Sequence, residues 1–211
     1  MSLDLTRVTV LRPDGTALFP QIDLSIPPGT IATLTGASGV GKSTLLDAVG
    51  GHLSANFRMQ GRVLLDGRDV TELPAERRCI GVMFQQAVMF PHLSLADNLA
   101  FGLHPSVRGR AARHAAVTEA LDMAGLTGMG ARDPATLSGG QRARAALMRT
   151  LLARPCAVLL DEPFSALDPE RRHEIRAFAL ATIRSSGIPA LLVTHDRADA
   201  DAAGGPVVAL S

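Results

Sequence analysis

The stretch GASGVGKST, residues 36–44, decides the fold of this 211-residue chain. A short β-branched apolar run, TIATLT, comes directly before it, and the apolar segment LLDAV comes directly after it. We interpret the first as a buried strand and the second as a helix that stops at Gly50 and Gly51. Strand, glycine-rich turn, Lys-Ser and helix follow each other in the order that a phosphate-binding loop requires.

The residue types in this loop match the chemistry of a phosphate chain. Three glycines let the backbone fold into a concave nest of N–H donors, and the helix that starts there adds its positive dipole end. Lys42 can reach the terminal phosphates, and the Ser43 hydroxyl can ligate Mg²⁺. We therefore predict a nucleotide-binding segment, made of Gly36, Ala37, Ser38, Gly39, Val40, Gly41, Lys42, Ser43 and Thr44.

Lys42 is also the only lysine of the chain, although lysine and arginine together number 21. A compact ammonium suits a phosphate tail in this loop better than a planar guanidinium does. The net charge is only +1, so composition gives no drive toward nucleic acid or anionic lipid.

Composition indicates one domain, or one domain with a subdomain, whose core is aliphatic because aromatic residues make up only 3% of the chain. Cys79 and Cys156 lie far apart in apolar runs, so we expect two buried thiols in a reducing compartment. No apolar run approaches membrane-spanning length and no signal peptide pattern opens the chain. Any work at a membrane would go through a partner.

β and α patterns alternate along most of the chain, which predicts an α/β fold with a parallel sheet and helices on both faces. Ligands gather at the carboxyl ends of such strands. Four predicted strands end in polar or glycine-rich sequence, at Thr35, Phe84, Leu160 and Thr194. We place a mostly helical insert at residues 87–145, between core segments 1–86 and 146–211 of a single domain spanning 1–211.

Acidic and polar side chains follow these strands. Asp161 comes after the run AVLL, where a carboxylate linked to Mg²⁺ would lie, and Glu162 is the candidate to orient or deprotonate an attacking water. A polar turn would explain the pair equally well in isolation. His195 could donate to the γ-phosphate, and Gln85 could contact the metal or the water, or be only a polar residue after a strand.

Residues 137–141 (LSGGQ) form a second candidate anion site. A serine and two glycines stand at a predicted helix start, distant in sequence from Lys42. The segment is either a capped helix N-terminus or a phosphate site that serves a neighbouring subunit.

GASGVGKS, MFQQ, LSGGQ, AVLLDEPFSALD and VTHD occur in the order seen in ABC-type ATPase cassettes, which the chain resembles over nearly its whole length. FPHLSLADNLAFGL resembles bacterial importer ATPases, and TLSGGQRARAALMRTLLARP resembles the YnjD-type cassettes among them. The resemblance implies a P-loop NTPase (RecA-like) core with a mainly parallel sheet, an N-terminal antiparallel β portion and a helical insert subdomain.

The resemblance also implies roles for individual residues. Glu162 would be the catalytic carboxylate and His195 the switch histidine, and Mg²⁺ would be held by Ser43, Gln85 and Asp161. A signature segment would bind the ATP held by the other subunit, and a D-loop would lie nearby. The signature residues are Leu137, Ser138, Gly139, Gly140 and Gln141, and the D-loop residues are Ser165, Ala166, Leu167 and Asp168.

Cofactors and partners follow from the same resemblance. Two ATP molecules with Mg²⁺ would be sandwiched in a homodimer or a paired cassette. The dimer would power an integral membrane permease gripped at about residues 85–101, at the cytoplasmic face of the inner (plasma) membrane, with no nucleic acid partner. The family stacks adenine on an aromatic residue, but residues 11–17 contain none. We expect Phe19 to face the core, so Arg12 is the alternative that could stack.

Two other function classes fit the sequence less well. A soluble ABC ATPase acting on DNA or ribosomes usually carries a tandem cassette or a long coiled-coil insert, and neither fits in 211 residues. A P-loop kinase would need an acceptor site, and a GTPase would need a guanine-reading Asn-Lys-x-Asp motif, which a single lysine at position 42 excludes.

Overall fold

The computed structural model describes residues 1–210, and these divide into two compact units. The first unit comprises Met1–Val82, Cys156–Glu162 and the residues from Leu180 onward. The second, mainly helical unit comprises Met83–Pro155 and Pro163–Ala179. The chain therefore leaves the first unit twice, once for the helical segment and once for the stretch after Glu162.

An antiparallel sheet opens the first unit. Its four strands are β1 (Leu3–Leu11), β2 (Ile22–Ile26), β4 (Arg58–Leu65) and β5 (Arg68–Asp69), in the order β2-β1-β4-β5. The predicted second strand, residues 17–26, is wrong in its first half, where Ala17 forms only an isolated bridge to Leu11. Pro20 has no N–H to offer to a ladder, so regular pairing begins only at Ile22.

A second sheet of five strands carries the candidate loops. It consists of β3 (Ile31–Gly36), β6 (Ile80–Met83), β7 (Ala157–Asp161), β8 (Ala190–Val193) and β9 (Val207–Leu210), in the order β6-β7-β8-β3-β9. The pairs β7–β8, β8–β3 and β3–β9 are parallel, as the alternating pattern predicts. Burial is complete at all four positions of β8, as expected for a central parallel strand.

Two α-helices belong wholly to the first unit as the structure describes it. The helix α1 (Lys42–Gly50) starts inside the glycine-rich loop and ends at Gly51, and it packs into the aliphatic core between the two sheets. The helix α6 (Arg197–Ala203) was not predicted. The Asp196 side chain caps it by accepting from the N–H of Ala198, and left-handed Gly204 ends it.

The second unit is built from three helices and most of a fourth: α2 (Leu95–Phe101), α3 (Arg110–Met123), α4 (Gly139–Leu152) and α5 (Pro169–Ser185). Ser94 caps α2 as its sequence predicts, with its hydroxyl accepting from the N–H of Asp97. The predicted apolar face of α3 is confirmed, because Val117, Leu121 and Ala124 are buried in the core of this unit.

The prediction of two buried thiols is wrong. Cys79 is exposed and Cys156 is only partly buried. Each cysteine lies one residue before a strand, since the two strands begin at Ile80 and Ala157. The apolar runs are therefore part of the sheet only from the residue that follows each cysteine.

Candidate functional site

The glycine-rich loop joins β3 to α1, and three of its glycines adopt positive φ: Gly36 at 154°, Gly39 at 81° and Gly41 at 103°. At Gly41 the requirement is also steric, because a Cβ atom would lie 2.7 Å from Cδ2 of Leu18 and 3.0 Å from Cδ1 of Phe19. The prediction that Phe19 faces the core is confirmed, since it is 2% exposed. The backbone therefore turns where no larger residue fits.

Lys42 lies folded against its own loop. Its Nζ donates to the carbonyl oxygens of Gly36 and Ala37, both at 2.9 Å, and the residue is only 6% exposed. An ammonium has three N–H donors, so one remains for an anion placed over the loop. The intervening residues Ala37, Ser38 and Gly39 are exposed, which leaves the mouth of the loop accessible.

Asp161 and Ser43 meet because of strand register. Asp161 pairs with Val193 across β7 and β8, and Val193 pairs with Leu34 across β8 and β3. The carboxyl ends of these strands are therefore level, and the Ser43 hydroxyl donates to Oδ1 of Asp161 at 3.1 Å. The structure brings together a hydroxyl from the loop and a carboxylate from the adjacent strand end.

The surroundings of Asp161 and Asp47 disfavour the ionised form of both carboxyl groups. Burial, followed by repulsion from Glu162, raises the pKa of Asp161, although the Ser43 hydrogen bond and the Lys42 charge act in the opposite direction. Burial and the charge of Asp161 also raise the pKa of Asp47 on α1. A cation placed beside Asp161 would relieve both effects.

Glu162 occupies an unusual backbone position directly after β7. Its φ of 42° lies in the left-handed region, and its N–H donates to the carbonyl of Val193 at 3.0 Å. Its Oε1 lies 3.1 Å from Nδ1 of His195. A non-glycine residue in this conformation at a polar strand end is a frequent feature of functional sites.

The loop that carries His195 is supported by two buried polar residues that sequence reasoning missed. The Thr194 hydroxyl donates to Oδ2 of Asp199 at 2.9 Å and accepts from the N–H of Asp196 at 3.0 Å. Thr194 is 2% and Asp199 3% exposed. The spacing of Asp196 and Asp199 before Gly204 is a helix-start and helix-stop signal that could have revealed α6 and this contact.

Within the helical unit, residues 137–141 form the N-terminus of α4. The Ser138 oxygen accepts from the N–H of Gln141 at 3.2 Å, and Oε1 of Gln141 accepts from the N–H of Ser138 at 2.9 Å. This reciprocal capping box agrees with the first of the two interpretations of residues 137–141, a capped helix N-terminus. Leu137 is buried and Gly139 is exposed, whereas a Cβ atom on Gly140 would lie 2.7 Å from Cδ1 of Ile175.

The stretch 165–168 and Gln85 also lie in the helical unit. Nε2 of Gln85 donates to the Ser165 hydroxyl at 3.1 Å. A guanidinium N–H of Arg172 reaches the carbonyl oxygens of Ser165 and Leu167, at 3.3 and 3.2 Å, and Asp168 accepts from the N–H of Glu170 at the start of α5. A pocket in the helical unit is lined by residues that include Gln85, Gly139, Ala166 and Leu167.

The predicted site residues thus fall into two groups. The first unit holds the glycine-rich loop together with Asp161, Glu162 and His195. The helical unit holds Gln85, the segment 137–141 and the segment 165–168. Within residues 1–210, no helix combines the length and the apolar character that crossing a bilayer needs.

Comparison with known proteins identifies relatives along most of the chain. The profile of the family described as "ABC transporter" matches residues 19–165. The ABC transporter ATP-binding protein YnjD of Escherichia coli is 43% identical over 192 residues, which are 91% of this chain and 88% of that protein. The Fe(3+) ions import ATP-binding protein FbpC of Agrobacterium fabrum is 41% identical over 91% of this chain.

The sulfate/thiosulfate import ATP-binding protein CysA of Mycobacterium tuberculosis is 44% identical over 85% of this chain. The matched region makes up 54% of that FbpC and 50% of that CysA, so the chain spans about half the length of these two relatives.

Proposed function

The chain belongs to the ABC transporter family of ATP-binding, ATP-hydrolysing subunits, and from this premise we propose that it powers the permease of a bacterial importer. The observation that carries the proposal is the convergence of Lys42, Ser43, Asp161 and Glu162 at one end of the parallel sheet. This end of the sheet therefore has a residue to bind phosphate, Lys42, two oxygen ligands for a metal ion, and a carboxylate that can act as a base, Glu162.

The residues around Ser43 fit a magnesium ion. A hydroxyl and a carboxylate oxygen 3.1 Å apart offer the hard oxygen ligands that Mg²⁺ prefers, and a bound cation would lower the raised pKa of Asp161. When bound, the ion supplies neutralisation of charge on the phosphate oxygens of ATP. Ser43 and Asp161 would hold it, whereas the assignment of Gln85 to the metal comes from the sequence resemblance.

Glu162 is proposed as the residue that accepts a proton from the attacking water. Its backbone is fixed by the hydrogen bond to Val193, and its carboxylate is oriented by His195. Lys42 and the loop N–H groups would hold the terminal phosphates while this proton moves to Oε1 or Oε2 of Glu162.

We propose that the functional unit is a pair of cassettes. The Ser138 oxygen is engaged in capping, but its O–H is still a donor, and it stands at the N-terminus of the 14-residue helix α4. Ser138, Gly140 and the neighbouring signature residues 137–141 would contact the ATP of the partner cassette, and the D-loop residues 165–168 would lie at the same interface. A twofold arrangement makes both sites equivalent.

An exposed apolar cluster in the helical unit suits the permease. Val88 is 62% and Phe101 69% exposed, and the edge of Phe90 packs on Phe101 with ring centroids 4.6 Å apart. Arg149 braces this cluster, since its guanidinium lies over Phe90 at 5.4 Å and donates to the carbonyl of Val88 at 2.6 Å. Exposed large apolar side chains on a rigid support are typical of a docking surface.

The proposed location follows from this partner: the cytoplasmic face of the plasma membrane, held there by the permease. FbpC and CysA are import ATP-binding proteins by name, which favours import over export. The second candidate, a soluble ABC ATPase acting on DNA or ribosomes, has no observation in its favour comparable to the apolar cluster at Val88 and Phe101.

A pull-down from membranes in mild detergent tests the proposal. Tagged protein carrying Glu162→Gln, which we expect to retain ATP, is the bait, and the same bait with Phe101→Glu is the matched control. A multispanning membrane protein recovered in stoichiometric amount by the first bait and lost with the second supports the importer subunit. Recovery of ribosomal or DNA-repair proteins without a membrane protein would overturn it.

A further inference from the structure

Cys79 and Cys156 are separated by most of the helical unit in sequence, yet their sulfur atoms lie 3.0 Å apart. The thiol of Cys156 donates to the sulfur of Cys79, and the N–H of Cys156 donates to the carbonyl of Cys79 at 2.7 Å. The chain contains two cysteines in all, and the fold places both at one point. We propose that Cys79 and Cys156 are a redox pair that closes reversibly to a disulfide when the protein meets a peroxide.

The backbone directly before Cys79 is held in place. Arg78, directly before Cys79, is buried, and its guanidinium donates to the carbonyl oxygens of Leu73, Ala48 and Val49 at 2.8–2.9 Å. Because the sulfur atoms lie 3.0 Å apart, they need to approach by only about 1 Å to reach bonding distance.

The backbone of Cys79 is itself unusual. Its φ of 59° is in the left-handed region, which a glycine or asparagine would occupy with less strain. This conformation directs the chain into β6 with the sulfur beside Cys156 and not into the core. The two residues also differ in access, because Cys79 is exposed and Cys156 is partly buried.

The difference in exposure indicates which of the two thiols reacts with peroxide first. Burial, together with the neighbouring Cys79, raises the pKa of Cys156 to about 11, so Cys156 remains a thiol at neutral pH. Cys79 is the sulfur that hydrogen peroxide can reach. Its attack on one peroxide oxygen forms an S–O bond and breaks the O–O bond, and the leaving hydroxide takes the thiol proton, which gives a sulfenic acid and one water. Cys156 then attacks the Cys79 sulfur, the S–S bond forms, the S–O bond breaks and a second water leaves. Two thiols lose two electrons, and one peroxide gains them.

The disulfide would close a covalent loop around most of the helical unit. The chain leaves the first unit after Val82 and returns at Cys156, so a disulfide from Cys79 encloses the whole segment Met83–Pro155 at its root. Cross-linking the ends of so long a segment restricts the unfolded chain, so the oxidised protein should unfold at a higher temperature. Reduction by a dithiol should reverse the change.

The test uses the full chain, reduced and then freed of reductant, at low protein concentration with graded hydrogen peroxide. We expect the intact mass to fall by two hydrogen atoms, titratable thiols to fall from two to none, and a proteolytic map to link the Cys79 and Cys156 peptides. The Tm should rise by roughly 5–10 °C and return after dithiothreitol.

Cys79→Ser and Cys156→Ser are the matched controls, and neither should lose mass or gain Tm. Retention of both thiols under peroxide, a sulfinic acid at Cys79 with the Cys156 thiol intact, or disulfides formed only between chains would each overturn the proposal. The linked-peptide map needs only the unaltered protein, so it decides the matter even if a serine variant does not fold.

Discussion

Nδ1 of His195 lies 3.1 Å from Oε1 of Glu162, and this contact joins two loops that follow different strands of the parallel sheet. An ionised carboxylate can only accept a hydrogen bond, so the imidazole carries a proton on Nδ1 in this contact. Nε2 of the neutral ring is then an acceptor, and it becomes a donor toward phosphate only in the imidazolium form. His195 in this conformation is therefore first a group that orients Glu162.

This relationship predicts different outcomes for two amide replacements. His195→Asn keeps a donor near the Nδ1 position, whereas His195→Gln keeps one near Nε2. If orienting Glu162 is the main role, the Asn variant should retain more ATPase activity than the Gln variant, and His195→Ala should lose about 10²-fold in kcat. Steady-state phosphate release measures all three, and a Gln variant more active than the Asn variant would assign His195 to the phosphate instead.

Glu162→Gln should bind ATP normally and hydrolyse it at least about 10²-fold more slowly, because an amide cannot take the proton from water. Glu76→Gln, a change at an exposed carboxylate, is the control and should leave kcat unaltered. Nucleotide binding and single-turnover hydrolysis are measured on the same samples. Turnover close to that of the parent protein would remove Glu162 from the role of base.

Asp161→Asn should stabilise the protein without nucleotide or metal, while its ATPase activity is lost. Because burial raises the pKa of Asp161 in the folded protein above its ordinary value of 3.8, ionising it opposes folding. The penalty is absent below pH 3.8, grows as pH rises toward the folded pKa and stays constant above it.

An asparagine avoids this penalty and can still accept from Ser43. Thermal unfolding at neutral pH should therefore show a higher Tm for Asp161→Asn, with the difference shrinking as acidity increases through that window. Added MgCl₂ with ATP should raise the Tm of the parent protein more than that of the variant. A lower Tm for the variant at neutral pH would contradict this account.

Two substitutions at Ser138 can distinguish its structural role, capping α4, from its proposed role in binding the ATP of the partner cassette. Ser138→Ala removes the cap and should cost about 1 kcal/mol of stability, whereas Ser138→Asn retains a capping oxygen and should cost much less. If the hydroxyl also contacts the partner's ATP, both variants should lose ATPase activity although only the first is destabilised. Chemical denaturation and phosphate release, measured in parallel, give the two readouts.

At Gly140, a second substitution that relieves a steric clash can distinguish an effect on stability from an effect on ATPase activity. A Cβ atom at this position would lie 2.7 Å from Cδ1 and 3.2 Å from Cγ1 of the buried Ile175, so Gly140→Ala should cost about 1–3 kcal/mol. Ile175→Val removes the Cδ1 atom and should restore much of the stability in the double variant. ATPase activity that stays low in the stabilised double variant would mark Gly140 as part of the site.

Gly139→Ala is the control for that series. The nearest side-chain atom, Cδ2 of Leu167, would be 3.7 Å from the new Cβ, which is ordinary contact. We expect unchanged stability or a small gain, because alanine favours helix over glycine.

Much of the fold was predictable from local patterns. The glycine-rich loop, β3 and α1 follow from glycines, β-branched residues and a helix stop that are contiguous in sequence. The parallel sheet follows from β/α alternation, and the capping box at Ser138 follows from residues within one helical turn. In each case the forces act between neighbours in the chain, so the chain order carries the information.

Other features depend on atoms that are distant in sequence. Strand register decides that Ser43 meets Asp161, and the level ends of β7 and β8 bring Glu162 and His195 together.

The prediction of a phosphate-binding loop needs only the sequence, since nine consecutive residues contain the donors and the turn-forming glycines. The sequence could not determine that Cys79 and Cys156 touch, because the apolar runs beside them predicted two separate buried thiols. Only the pairing of the strands that they precede decided that contact. Side-chain proximity across a sheet is a property of register and packing, which no local pattern records.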